Sequence, residues 1–171
     1  MTGFRIDVRG DAIQKITALQ RRLSNPTPLM AGIAAELLSI TEDAFEQESV
    51  IGEKEWKPLA LSTIRQRKKR GQWPGKKLQR SSGGLAASIQ PFHQTHQAGL
   101  TVSKLYAAIH QFGGMAGRGH KVEIPARPYL PIKRESGEYQ LTPHAHSRLM
   151  KMVTDFVERG LWLDYWGASG F

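Results

Sequence analysis

The sequence predicts an α+β domain in which a mostly antiparallel sheet is packed by two or three helices and interrupted by a long, flexible basic loop. Two observations carry this. Stretches with apolar residues every second position alternate irregularly with stretches repeating every three or four, which disfavours a doubly wound sheet. The length, 171 residues without cysteine, suffices for one core without disulfides or thiolate metal sites.

The first element is a strand, because Phe4, Ile6 and Val8 alternate with Arg5, Asp7 and Arg9, the period of a half-buried strand. Asp11 and Gln14 then resemble a capping box, followed by Ile13, Ile16 and Leu19 on one helical stripe. Asn25-Pro26 ends that helix, and Thr27-Pro28 supplies an N-cap with proline at the first helical position of a second. The second helix is predicted to run to about Phe45, with Met30, Ile33, Leu37, Leu38 and Phe45 on its packing face.

From Ser49 to Gly84 the periodicity weakens. A short helix over Ser62 to Arg70 is followed by Gly71, Pro74, Gly75, Gly83 and Gly84, the composition of a long excursion. Residues about 60–82 read as a mobile basic insert, ordered in part by a partner. Strands are predicted over Leu85 to Phe92 and Gly99 to Leu105, while Tyr106 to Phe112 suits either a short helix or a continued strand. A glycine-rich loop over Gly113 to Gly119 leads to a strand at Val122-Glu123-Ile124, which Pro125 and Pro128 terminate or confine to an edge. Thr142-Pro143 repeats the cap signature and opens a helix with Leu149, Met150, Val153, Phe156 and Val157 on its apolar side.

The formal net charge is +9, and no acidic residue lies between Glu55 and Glu123. A positive field of this kind attracts nucleic acid or an acidic protein surface. Arg65, Arg67, Lys68, Lys69, Arg70, Lys76, Lys77 and Arg80 form the candidate contact for DNA or an acidic partner, with Trp73 beside them. The competing reading is a solvated segment that docks an acidic neighbour or only keeps the chain soluble. No stretch has the roughly 20 apolar residues of a membrane span, and Met1 to Gly10 lacks the apolar run of a signal peptide.

Enzymatic chemistry has no visible seat. His93, His96, His110, His120, His144 and His146 have no cysteine or suitably spaced carboxylate nearby. Ser81-Ser82-Gly83-Gly84 is neither a nucleophile elbow nor a phosphate loop, so it reads as a turn. No cofactor is called for.

Four segments, taken together, resemble the phage virion morphogenesis family of Mu-like and related contractile-tailed phages. They are Trp56-Lys57-Pro58-Leu59, Ser82-Gly83-Gly84-Leu85, Tyr106-Ala107-Ala108-Ile109-His110-Gln111-Phe112-Gly113-Gly114 and Ile124-Pro125-Ala126-Arg127-Pro128-Tyr129-Leu130. The resemblance spans residues 1–160 as a single domain. It implies a structural, non-enzymatic protein that completes or terminates the tail and enables its joining to the head. The implied partners are further copies of itself in a ring, read as hexameric, the tail tube or sheath, and neck or connector proteins. Transient contact with phage DNA and no membrane association go with it, as does a place in the virion tail or neck after assembly in the host cytoplasm.

The residues of those segments have physical readings of their own. Tyr106, Ile109 and Phe112 are placed to anchor a helical turn, and Gly113-Gly114 to permit a sharp exit. Arg127, between two prolines, is projected either into a subunit interface or across two loops of its own chain. The aromatic segment 161–171, with Trp162, Tyr165, Trp166 and Phe171, reads as a subunit contact or as packing on the last helix. A different class of function, a basic nucleic-acid-binding accessory protein of packaging or assembly, rests on charge alone.

Overall fold

The computed structural model describes residues 11–50, 55–79 and 81–159. The strand expected at residues 4–8 lies outside them, as does the segment 161–171. Helix α1 (Ala12–Ser24) begins after Asp11, whose side chain makes no cap hydrogen bond and pairs with Lys15 one turn on. The expected capping box does not form. Asn25 performs that service for the next helix, its Oδ1 accepting the Thr27 N–H at 3.4 Å, so that Thr27 and Pro28 stand inside α2 (Thr27–Gln47) rather than at its cap. Proline is tolerated there because first-turn N–H groups have no helical partner.

Helix α2 is the spine of the molecule and serves two cores. At one end Leu29, with Met30 and Ile33 beside it, packs on Met152 and Phe156 of α5 (Pro143–Arg159). At the other, Ala44 and Phe45 enter the main core with Val50, Trp56, Leu78, Leu85, Ile89, Ala107 and Tyr129. Phe45 is the hinge of that core: its ring meets Trp56 edge-on at 5.8 Å and Tyr129 at 5.4 Å, geometries that aromatic quadrupoles favour. The helix stops at Glu48, which takes the left-handed conformation at φ 54°.

The strands pair antiparallel, as predicted, but among the described residues they form three separate two-stranded ribbons instead of one sheet. The largest joins β1 (Ile89–Gln94) and β2 (Gln97–Val102) in register from Ile89 opposite Val102 to Gln94 opposite Gln97, and lies on α2. Helix α3 (Leu61–Lys69) precedes it and α4 (Ala107–Phe112) follows it, so the 106–112 segment is helical. The other ribbons pair β3 (Gly114–Ala116) with β4 (Val122–Ile124) and β5 (Ile132–Glu135) with β6 (Glu138–Leu141). The second of these turns through Ser136 and Gly137, both at positive φ (51° and 89°), as a two-residue hairpin requires. Helix α5 opens as predicted, with Thr142 Oγ1 accepting the Ala145 N–H at 3.4 Å. Among the described residues, no helix is long and apolar enough to cross a membrane.

Candidate functional site

Helix α3 is built from the basic run, and its period decides which cations face inward. Thr63 and Ile64 are half-buried and Arg67 is buried, whereas Arg65, Lys68, Lys69 and Arg70 are exposed. Arg67 is only 7% exposed and donates from Nη1 to the Lys76 carbonyl at 2.8 Å and from Nη2 to the Lys77 carbonyl at 2.7 Å. Lys76 Nζ donates to the Glu46 carbonyl at 2.6 Å and to its carboxylate at 2.7 Å, and Lys77 Nζ lies 2.9 Å from Glu48. The described part of the 60–82 segment is thus a helix and a loop clamped to the end of α2. Arg67, Lys76 and Lys77 are spent in that clamp, which leaves Arg65, Lys68, Lys69 and Arg70 as the outward cationic face; Arg80 lies outside the described residues.

Glu48 completes the clamp from the other side. Burial by itself would raise its carboxyl pKa, but hydrogen bonds from the Lys77 N–H and side chain, with the charges of Lys77 and Lys76, outweigh burial and hold it below the usual range.

A second arginine marks the junction between the family-like segments. Arg127 is 5% exposed and donates from Nε to the Lys57 carbonyl and from Nη2 to the Pro58 carbonyl, each at 2.9 Å. Beside it, Trp56 Nε1 donates to the Pro128 carbonyl at 2.6 Å. These bonds tie the 56–58 segment to the 127–128 segment, so Arg127 bridges two loops of its own chain. Burial, then the charge of Arg67, lowers its proton affinity, while Glu48 raises it.

Helix α4 locks the same junction, though not with the residues its aromatic spacing suggested. Tyr106 and Phe112 are exposed, at 45% and 49%, and the inward positions are Ala107 and Gln111. Gln111 Oε1 accepts the backbone N–H of both Tyr129 and Leu130 at 3.0 Å, and the Arg127 N–H donates to the His110 carbonyl at 2.7 Å. The Tyr129 hydroxyl donates to the Ala107 carbonyl at 3.2 Å, and burial pushes its pKa up to about 12. Gly113 leaves the helix at φ 73°, where a Cβ would stand 2.9 Å from the Ala126 nitrogen. A buried glutamine reads as an ordinary polar residue in sequence; its one legible signal was its place one turn after Ala107 on a short helix.

Between these parts lies a cleft of about 950 Å³ bounded by the 57–63 segment, α4 and the 122–127 segment, with Arg67, Lys77 and Arg127 in its lining. Among the described residues, no cluster of three or more histidines and carboxylates could hold a metal ion.

Residues 10–142, which contain all four family-like segments, match the model of the phage virion morphogenesis family. The chain belongs to that family. This virion morphogenesis protein is also 35% identical over 157 residues, 90% of its length and 96% of the relative's, to the Mu-like prophage FluMu G protein 2 of Haemophilus influenzae. It is 36% identical over 111 residues, 64% of its length and 70% of the relative's, to the putative capsid assembly protein G of Escherichia phage Mu. No solved structure matches it. The role of this virion morphogenesis protein is accordingly structural, in the assembly of a phage particle.

Proposed function

We propose that the chain acts at the head–tail junction, where it completes or terminates the tail and enables the tail to join the head. The observation that carries this reading is that, among the described residues, the short ribbons have open edges and present apolar and aromatic groups outward. Phe112 and Tyr139, both exposed, meet with their rings tilted at 45° and centroids 5.3 Å apart, with the Arg134 guanidinium 5.9 Å from the Tyr139 ring centroid. Open strand edges and exposed aromatics are groups that association satisfies, and a closed ring of like subunits satisfies them symmetrically.

The ring is proposed to be hexameric, to seat on the tail tube or sheath and to meet the neck or connector with its other face. Trp162, Tyr165, Trp166 and Phe171 are proposed to contribute subunit contacts; the Nε and Nη2 donors of Arg127 are committed within its own chain. Arg65, Lys68, Lys69 and Arg70 would line such a ring once per subunit and could touch DNA passing through it. Native mass spectrometry of the full chain and of a chain ending at Gly160 tests the assembly. The account expects a closed oligomer that the truncation reduces to smaller species; a monomer in both cases overturns it.

A second reading comes from the phage Mu relative, whose name places its work in capsid assembly. The two differ in which half of the particle fails without the protein.

A further inference from the structure

The cleft is lined by both cationic and apolar groups, a combination that structural bracing alone does not require. We propose that it is a docking site for an acidic, apolar peptide segment of a partner protein, held with a carboxylate against Arg127.

Three observations point to this ligand class. First, the lining is one-sided in charge: Lys57, Arg67, Lys77 and Arg127 outnumber its carboxylate, that of exposed Glu123, and the cations remain in excess when the pairing of Lys77 with Glu48 is counted. Secondly, Arg127 satisfies only Nε and Nη2, both with neutral carbonyls. Among the described residues no carboxylate bridges it, although a buried guanidinium is best matched by an anion that takes its planar fork. Thirdly, α3 presents its N-terminus to the same cleft through Ser62 and Thr63, and its cap residue Ala60 offers no side-chain acceptor. The Ile64 N–H is taken by the Ala60 carbonyl at 3.0 Å, and at the start of the helix the dipole favours a negative group.

The apolar lining separates a peptide from a nucleic acid. Leu59, Val122, Ile124 and Pro125 line the cleft, which suits apolar side chains flanking an acidic one. A single strand would bring a charge with every nucleotide and needs a continuous cationic track. The outward cations of α3 could supply that track, but they lie outside the cleft. The inference does not depend on where in the particle the subunit sits.

The test is selection of a yeast-displayed random peptide library on the full chain, followed by fluorescence titration of the selected peptides. Selected peptides should combine Asp or Glu with apolar residues. Lys57→Glu reverses a charge in the lining while sparing the backbone carbonyl that Arg127 uses, so folding is retained. It should weaken binding by at least about tenfold, the size of one charge-assisted contact. Lys69→Glu, on the outer face of α3, should leave binding unchanged and thereby exclude a general charge effect. Failure to select any peptide, selection of peptides without acidic residues, equal binding by Lys57→Glu, or displacement by oligothymidylate would each overturn the proposal.

Discussion

The Arg127 guanidinium donates from Nε to the carbonyl oxygen of Lys57, seventy positions earlier in the chain, at 2.9 Å. With the Pro58 carbonyl on Nη2 it joins the two proline-bearing segments through one planar group. The geometry depends on a fork, which lysine lacks. Arg127→Lys should therefore destabilise nearly as much as Arg127→Met, each by about 1.5–3 kcal/mol, the cost of losing a charge-assisted hydrogen bond. Urea denaturation of the three chains measures it, and full rescue by lysine would contradict the bridging role.

Gln111 holds the next two residues of the same segment. Replacing it with leucine keeps the volume but strips two backbone N–H groups, those of Tyr129 and Leu130, of their acceptor. The expected loss is about 1–3 kcal/mol, because a buried donor left unpaired costs its desolvation. Gln111→Glu retains the acceptor oxygen and should lose less at neutral pH. Equilibrium unfolding followed by tryptophan fluorescence distinguishes the two.

At Gly113 the backbone decides. Its φ of 73° and the Ala126 nitrogen at 2.9 Å from a would-be Cβ make even alanine both strained and crowded. Gly113→Ala should cost about 1–3 kcal/mol, whereas Ala at Gly83, where a Cβ would meet nothing within 4 Å, should be near neutral. A thermal melt of each variant checks this.

Acid should destabilise the protein in two stages. His110 titrates below its ordinary value of 6.5, first because it is buried and then because Arg127 is near. Its contribution is present above pH 6.5 and is lost as pH falls through the depressed folded value, since the unfolded chain takes up the proton first. Glu48, held below its ordinary value of 4.5, follows the same sign in a lower window: its contribution is present above 4.5 and lost beneath it. In urea midpoints measured against pH, His110→Gln should remove the upper stage and Glu48→Gln the lower.

Which parts of this were legible in sequence follows from the range of the forces involved. Helices α2, α3 and α5 and the β1–β2 ribbon are governed by local periodicity and turn signals, so Thr142 and Pro143 could be read directly, whereas α4 stayed open between helix and strand. The β5–β6 hairpin was missed although Ser136-Gly137 is a turn signal, because its strands are four residues each and mostly exposed. Tyr106 and Phe112 misled for a different reason: the core space facing α4 is filled by Tyr129 from a distant segment, leaving room only for Ala107 and Gln111. The contacts of the basic segment were not legible because charge run and glycine count are local, whereas its acceptors, Glu46 and Glu48, arrive from the end of α2. Neither arginine bridge could be read in advance, since each depends on carbonyls whose position only the folded chain defines.

The most direct test of the junction role is electron microscopy of particles from a lysogen in which this gene alone is deleted. The account predicts DNA-filled heads beside detached or wrong-length tails, restored to joined particles when the gene is supplied in trans. Normal, joined particles would contradict it, and missing or malformed heads with normal tails would assign the protein to capsid assembly instead.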